Sequence, residues 1–161
     1  MATSFRKLFD SLSQGLNKMA GIETDEQRDA RRVRELNASV AMLLYETARA
    51  DHDVTREDLD TAERSLADLL GLPAAQASEL MQQVAQPHER PTSYHPLVKA
   101  INDQFDQHKK LLLVEHMWHV AHADQDIDKY EDHLIRKISE LIYVHHRDFI
   151  AAKHRARAKS G

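Results

Sequence analysis

Apolar residues in this chain recur three and four apart almost from its start. Phe5, Leu8, Phe9, Leu12, Leu16 and Met19 fall on one stripe of a helix, with Arg6, Lys7 and Lys18 beside it. Such a stripe buries against the chain's own core or, with that basic flank, rests on a membrane surface or a partner protein. Gly21 interrupts the pattern. Thr24 and Gln27 then have capping-box spacing and predict a second helix that runs to about Ala50. Thr55 and Asp58 repeat that spacing, and Leu59, Ala62, Leu66, Leu69 and Leu70 give a third apolar face that stops at Gly71. Pro73 suits the first turn of a helix carrying Ala77, Leu80, Met81 and Val84. A proline-bearing loop from Pro87 to Pro96 follows. Beyond it the pattern predicts a short helix with Leu97, Val98, Ile101 and Phe105, and a longer one over Leu111 to Ala123. Asp128 and Glu131 open the next, with Leu134, Ile135, Ile138, Leu141 and Ile142. A last helix with Phe149 and Ile150 trails into basic residues.

The second signal is repetition. Ala48-Arg-Ala-Asp51-His-Asp53-Val54 returns as Ala121-His-Ala-Asp124-Gln-Asp126-Ile127, and the same offset pairs Leu44 with Met117, Tyr45 with Trp118, Asp58 with Glu131 and Leu69 with Ile142. Two copies of a helix, an acidic turn and a helix bury their apolar faces against one another. The chain therefore reads as an all-α fold built from two pseudo-repeated helix-turn-helix halves. Its 161 residues form one domain: an amphipathic N-terminal helix over 1–21, a first half over 24–86, a linker loop over 87–96, a second half over 97–152 and a basic tail over 153–161.

Composition narrows the chemistry. The absence of cysteine excludes thiol redox chemistry, disulfides and thiolate zinc sites, and permits residence in the cytoplasm. No apolar run is long enough to span a membrane, and the N-terminus lacks a signal-peptide core, so a soluble protein is expected. The net charge of −4 is uneven, with acid around residues 46–63 and 124–132 and base after Arg147. Asp51, Asp53 and Asp58 in one copy, and Asp124, Asp126, Asp128 and Glu131 in the other, are candidate oxygen donors for a hard divalent cation. Calcium or magnesium suits them better than zinc. An EF-hand is excluded, because Lys129 and Ile135 stand where that loop needs glycine and glutamate. Helix capping is the competing explanation for Thr55, Asp58, Asp128 and Glu131, and acids at a helix N-terminus also gain from its dipole.

A second cluster, His116, His119 and His122, recurs every third residue, and Glu115 with His119 is a further pair. Three-residue steps drift around a helix, so the three histidines converge poorly on one ion. Neither the zincin nor the di-iron pattern occurs. No nucleophile elbow, phosphate loop or dinucleotide fingerprint appears, so neither an enzyme nor an organic cofactor is expected. The basic end lacks interleaved aromatics and the body is acidic, which argues against nucleic acid.

Residues 123–138, Ala-Asp-x-Asp-Ile-Asp-x-Tyr-Glu-x-x-Leu-Ile-Arg-Lys-Ile, resemble the tellurite-resistance TerB family, especially its cytosolic TerB-like branch. Leu112 to Ala121, the Arg147-Asp-Phe149-Ile150 stretch and the first copy around Ala50 to Asp58 extend the likeness over nearly the whole chain. The resemblance implies a compact bundle of about seven helices, an acidic surface that binds divalent metal, and a link to tellurite or general stress resistance. His52 and Gln125 depart from the family, which usually has glycine after the first Asp of each turn. Two functions stay open: an interaction module of a stress-response assembly, whose acidic face, first helix or basic tail engages protein partners, and a dedicated divalent-cation binder or sensor.

Overall fold

Side chains that satisfy the orphan N–H groups of a helix decide where α2 (Asp25–Ala48) and α3 (Arg56–Leu70) begin. The computed structural model describes residues 3–14, 21–50, 53–121 and 129–160, among which there are eight helices and no strand. They are α1 (Phe5–Gln14), α2 (Asp25–Ala48), α3 (Arg56–Leu70), α4 (Ala74–Val84), α5 (His95–Gln104), α6 (Gln107–Ala121), α7 (Lys129–Leu141) and α8 (His146–Ser160). The two capping boxes form as their spacing predicts. Thr24 Oγ1 accepts from Gln27 N–H at 3.1 Å while Gln27 Oε1 accepts from Thr24 N–H at 2.9 Å. Thr55 and Asp58 make the same reciprocal pair ahead of α3.

Two helices end in the same left-handed motif with different residues. At the end of α3, Gly71 has φ 65° and the Leu72 N–H reaches back to the Ala67 carbonyl. At the end of α7, Tyr143 has φ 61° and the Val144 N–H reaches back to the Ser139 carbonyl. Glycine adopts this conformation freely and a tyrosine does so at a cost.

The core is organised around α2. Every residue from Ala38 to Ala48 is buried, whereas residues 24–30 are exposed. This half of α2 is enclosed on all sides, and α2 packs against α1, α3, α4, α5, α6 and α7. The N-terminal stripe chooses the core: Phe5, Leu8 and Phe9 are buried, and the Arg34 guanidinium caps the far end of α1 through the Ser13 and Gln14 carbonyls. Leu16 and Met19 lie outside the described residues.

Three expectations change at the boundaries. The proline-bearing loop ends earlier than expected, since α5 begins at His95 and holds Pro96 in its first turn, where a missing N–H costs nothing. Pro73 is the residue before α4 rather than its first. The basic segment from Lys153 is also no loose tail. It continues α8 to Ser160, because Ala152 and Ala156, four apart, bury a small-residue seam. Near the same helix Trp118 of α6 lies 5.5 Å from the Phe149 ring. Lys153 and Arg155 are spent on Asp132 at 3.0 Å and Glu115 at 3.1 Å.

Burial pushes the Asp132 carboxyl upward, but hydrogen bonds and charge from Lys153 and then Arg136 outweigh it and hold the group below its ordinary range. A depressed carboxylate contributes stability that is complete above its unfolded value and disappears as pH falls through the folded one. Asp132→Asn should therefore destabilise the protein at neutral pH and reduce the loss of stability between neutrality and about pH 3, as read from urea unfolding at several pH values. A Cβ on Gly71 would meet nothing within 4 Å, so Gly71→Ala isolates the backbone term and should cost about 1 kcal/mol in the same assay. Tyr143→Gly should change stability in the opposite direction.

Candidate functional site

The first acidic segment lies between the end of α2 at Ala48 and the start of α3 at Arg56, and the second lies between the described parts of α6, which reach Ala121, and of α7, which begin at Lys129. Of the seven candidate oxygen donors, Asp51, Asp124, Asp126 and Asp128 lie outside the described residues. Asp53, Asp58 and Glu131 lie within them. Asp53 is exposed ahead of α3. Asp58 is 1% exposed, and its Oδ2 accepts from the Thr55 N–H at 2.9 Å while its own N–H donates to Thr55 Oγ1 at 3.1 Å. Glu131, its counterpart in the second copy, sits in the first turn of α7 and is also 1% exposed. Two carboxylates thus hold equivalent buried positions just past the two acidic segments. Among the described residues no three His, Asp or Glu side chains converge as a metal-ligand group.

The entry to the first acidic segment is fixed by a charge network that the motifs did not indicate. Glu46, in the last turn of α2, is 3% exposed and receives a two-pronged grip from Arg49, at 3.0 Å to Oε2 and 2.6 Å to Oε1. This paired geometry is the strongest form of a carboxylate–guanidinium contact. Arg49 also donates to the His88 carbonyl at 3.1 Å, and His88 Nε2 lies 3.2 Å from Glu46 Oε1. Arg90 then donates to the Arg49 and Ala50 carbonyls at 2.8 and 3.1 Å, which satisfies the C-terminal end of α2 with a cation as its dipole favours. The loop between α4 and α5 is in this way clamped onto the residues immediately before Asp51. A signal was present in the sequence: Glu46 interrupts the apolar run Val40 to Tyr45 and continues into Ala48, and a charge in a fully buried turn requires a partner.

Among the described residues of the histidine cluster, His116 places Nδ1 3.0 Å from Ser65 Oγ and Nε2 3.1 Å from Asp68 Oδ2, joining α6 to α3. Serine, histidine and aspartate are the residues of a nucleophilic triad, but their exposure is reversed here. Ser65 is 4% exposed and the Asp68 side chain 77%, whereas acyl transfer needs a reachable hydroxyl and a sheltered carboxylate. The His119 ring lies 5.6 Å from that of His116 and its Nε2 is 3.9 Å from Glu115 Oε1. Glu115 Oε2 is taken by Arg155, and His122 lies outside the described residues.

Removing the α3 cap tests its assignment. Asp58→Ala should cost about 1–2 kcal/mol in urea unfolding, the range of a lost helix cap. A loss within about 0.5 kcal/mol, as for an ordinary surface substitution, would show that the Thr55–Asp58 pair does not fix the start of α3.

Among known protein families, the model of the one described as tellurite resistance protein TerB matches residues 37–154. The matched span runs from the buried half of α2 into α8 and leaves α1 outside it. No curated protein and no solved structure matches the chain.

Proposed function

The chain belongs to the TerB family, and from that premise we propose that it is a non-enzymatic interaction module of a stress response related to tellurite resistance. Its working surface is the acidic face formed by the two Asp-x-Asp turns, which engages protein partners in the cytoplasm and is tuned by a divalent cation, calcium or magnesium before zinc. The observation that carries this reading is the position of Asp58. Its Oδ2 is spent on the Thr55 N–H, so this carboxylate of the candidate set builds α3, while Asp53 beside it faces solvent. A turn whose inner acid is a cap and whose outer acid is exposed suits a recognition surface.

A second reading rests on a different observation. Asp58 and Glu131 occupy equivalent buried positions in the two copies, which favours a dedicated divalent-cation binder in which Asp51, Asp53, Asp58, Asp124, Asp126, Asp128 and Glu131 supply oxygen ligands. In that case ion binding is itself the activity.

Thermal melts of chelator-treated protein separate the two, since a ligand held only by the native state raises stability by mass action. Under the interaction reading, millimolar calcium or magnesium shifts the midpoint by no more than a few degrees, and Asp51→Asn with Asp124→Asn removes a captured partner without unfolding the protein. A large shift that vanishes in the double variant, with partner capture unchanged, would overturn that reading in favour of the second.

A further inference from the structure

We propose that Lys110 and Tyr143 form a docking surface for an acidic segment of a partner protein, one that carries a carboxylate beside an apolar residue. The surface lies where the start of α6 meets the turn between α7 and α8. Tyr143 is 74% exposed and holds φ 61°, the left-handed conformation. Lys110, in the first turn of α6, is 9% exposed, and its Nζ lies 5.8 Å from the centre of the Tyr143 ring. Two side-chain amides secure the turn: Gln107 Nε2 donates to the Tyr143 carbonyl and Asn102 Nδ2 to the Leu141 carbonyl, each at 3.1 Å. Leu141, two residues before Tyr143, is itself 38% exposed.

Stability alone does not account for this corner. A lysine buried to this extent ordinarily meets a carboxylate or a carbonyl. Among the described residues no oxygen accepts from Lys110 Nζ, and the Tyr143 ring is its contact. A cation in the first turn of a helix also faces the positive end of the helix dipole. Tyrosine at a left-handed helix end gives up stability that glycine would keep, and so exposed a ring recovers little of it by burial. Asn102 adds a further cost, because its buried Oδ1 accepts nothing among the described residues. Departures from local rules that gather in one place mark a surface arranged for recognition rather than for folding.

The charges on the adjoining elements decide what occupies it. Lys99 pairs with Asp103 at 2.7 Å, the Asp106 carboxylate accepts from the Lys109 N–H at 2.9 Å, and Lys109 Nζ donates to the Leu69 carbonyl at 3.0 Å. Lys137 lies over the Tyr94 ring, and Glu140, exposed in the last turn of α7, forms no ion pair with Lys110. Lys110 therefore has donors to spare, and its complement is an anion. A carboxylate beside an apolar side chain matches both halves of the surface: the acid takes the ammonium, and its neighbour lies on the Tyr143 ring. A free inorganic anion would use the lysine and leave the ring bare. Tyrosine is also among the residues that carry most of the binding energy at protein interfaces. This surface stands at the far end of α6 and α7 from the second acidic segment, so it is separate from the acidic face proposed above.

The test is amide chemical-shift mapping by NMR on the full chain, titrated with short blocked peptides that carry Glu or Asp beside Leu or Phe. Each peptide is paired with a control in which Gln or Asn replaces the acid. The acidic peptides should shift the amides of Gln107, Lys110, Leu141, Tyr143 and Val144. The controls should bind roughly tenfold or more weakly, the worth of one hydrogen bond to a charged group. Lys110→Met keeps the buried stem and removes the charge, and it should weaken the acidic peptides to the same extent. Tyr143→Gly should also bind roughly tenfold or more weakly, as for an interface residue of high energetic weight, while folding at least as stably as the wild type. Its loss of binding is thereby separated from misfolding. Shifts that miss this corner, that are equal for acidic and control peptides, or that persist unchanged in both variants would each overturn the proposal. Shifts at the same amides that grow with protein concentration in the absence of peptide would assign the surface to a second copy of the chain and overturn it as well.

Discussion

The second half of α2 leaves no side for solvent, and the rest of the structure follows from what must surround it. From Ala38 to Ala48 each residue is buried, and six helices pack against α2. Most of those residues are apolar or small, and Ser39 and Thr47 are short; the Thr47 hydroxyl returns to the Leu43 carbonyl at 2.8 Å. Glu46 is the exception. A carboxylate taken out of water at this depth requires a partner of opposite charge and hydrogen bonds to both oxygens. Arg49 supplies both, His88 adds a third contact, and these residues bring the loop between α4 and α5 and the start of the chain to the end of α2.

This arrangement links packing to the candidate site. The first acidic segment leaves α2 just after Arg49 and Ala50, whose carbonyls Arg90 holds, and it enters α3 through the Thr55–Asp58 cap. Both ends of the segment are therefore fixed by charge-assisted or reciprocal hydrogen bonds, alongside the packing of Ala50 and Val54 against the core. At the second segment, Glu131 is buried in the first turn of α7, and Glu115, two turns before the end of α6, is bound by Arg155 of α8. Among the described acidic residues near the turns, Asp58 and Glu115 thus build the frame.

Much of the fold was legible because local chemistry and global packing agreed. The boxes at Thr24–Gln27 and Thr55–Asp58 start helices where their spacing says, and Phe5, Leu8 and Phe9 bury as their period requires. Tyr143 was not legible, since a left-handed helix end normally announces itself with glycine or asparagine. The basic residues after Lys153 read as solvated because their charge masks the Ala152–Ala156 seam that packs them. The Glu46–His88 contact joins residues far apart in sequence, and no spacing rule encodes such a pair. Asp53, Asp58 and Glu131 were legible as acids near helix starts, but their division into exposed and buried roles depends on tertiary packing.

The central claim is that paired burial of Glu46 organises the end of α2 and everything attached to it. A double-mutant cycle on Glu46→Gln and Arg49→Leu, read by urea unfolding at neutral pH, tests it most directly. The account predicts that each single change costs about 3–5 kcal/mol, as for a buried ion pair deprived of one member. It also predicts that the double variant costs clearly less than the two losses added together. Single losses of no more than about 1 kcal/mol that simply add, as for an exposed surface pair, would contradict it.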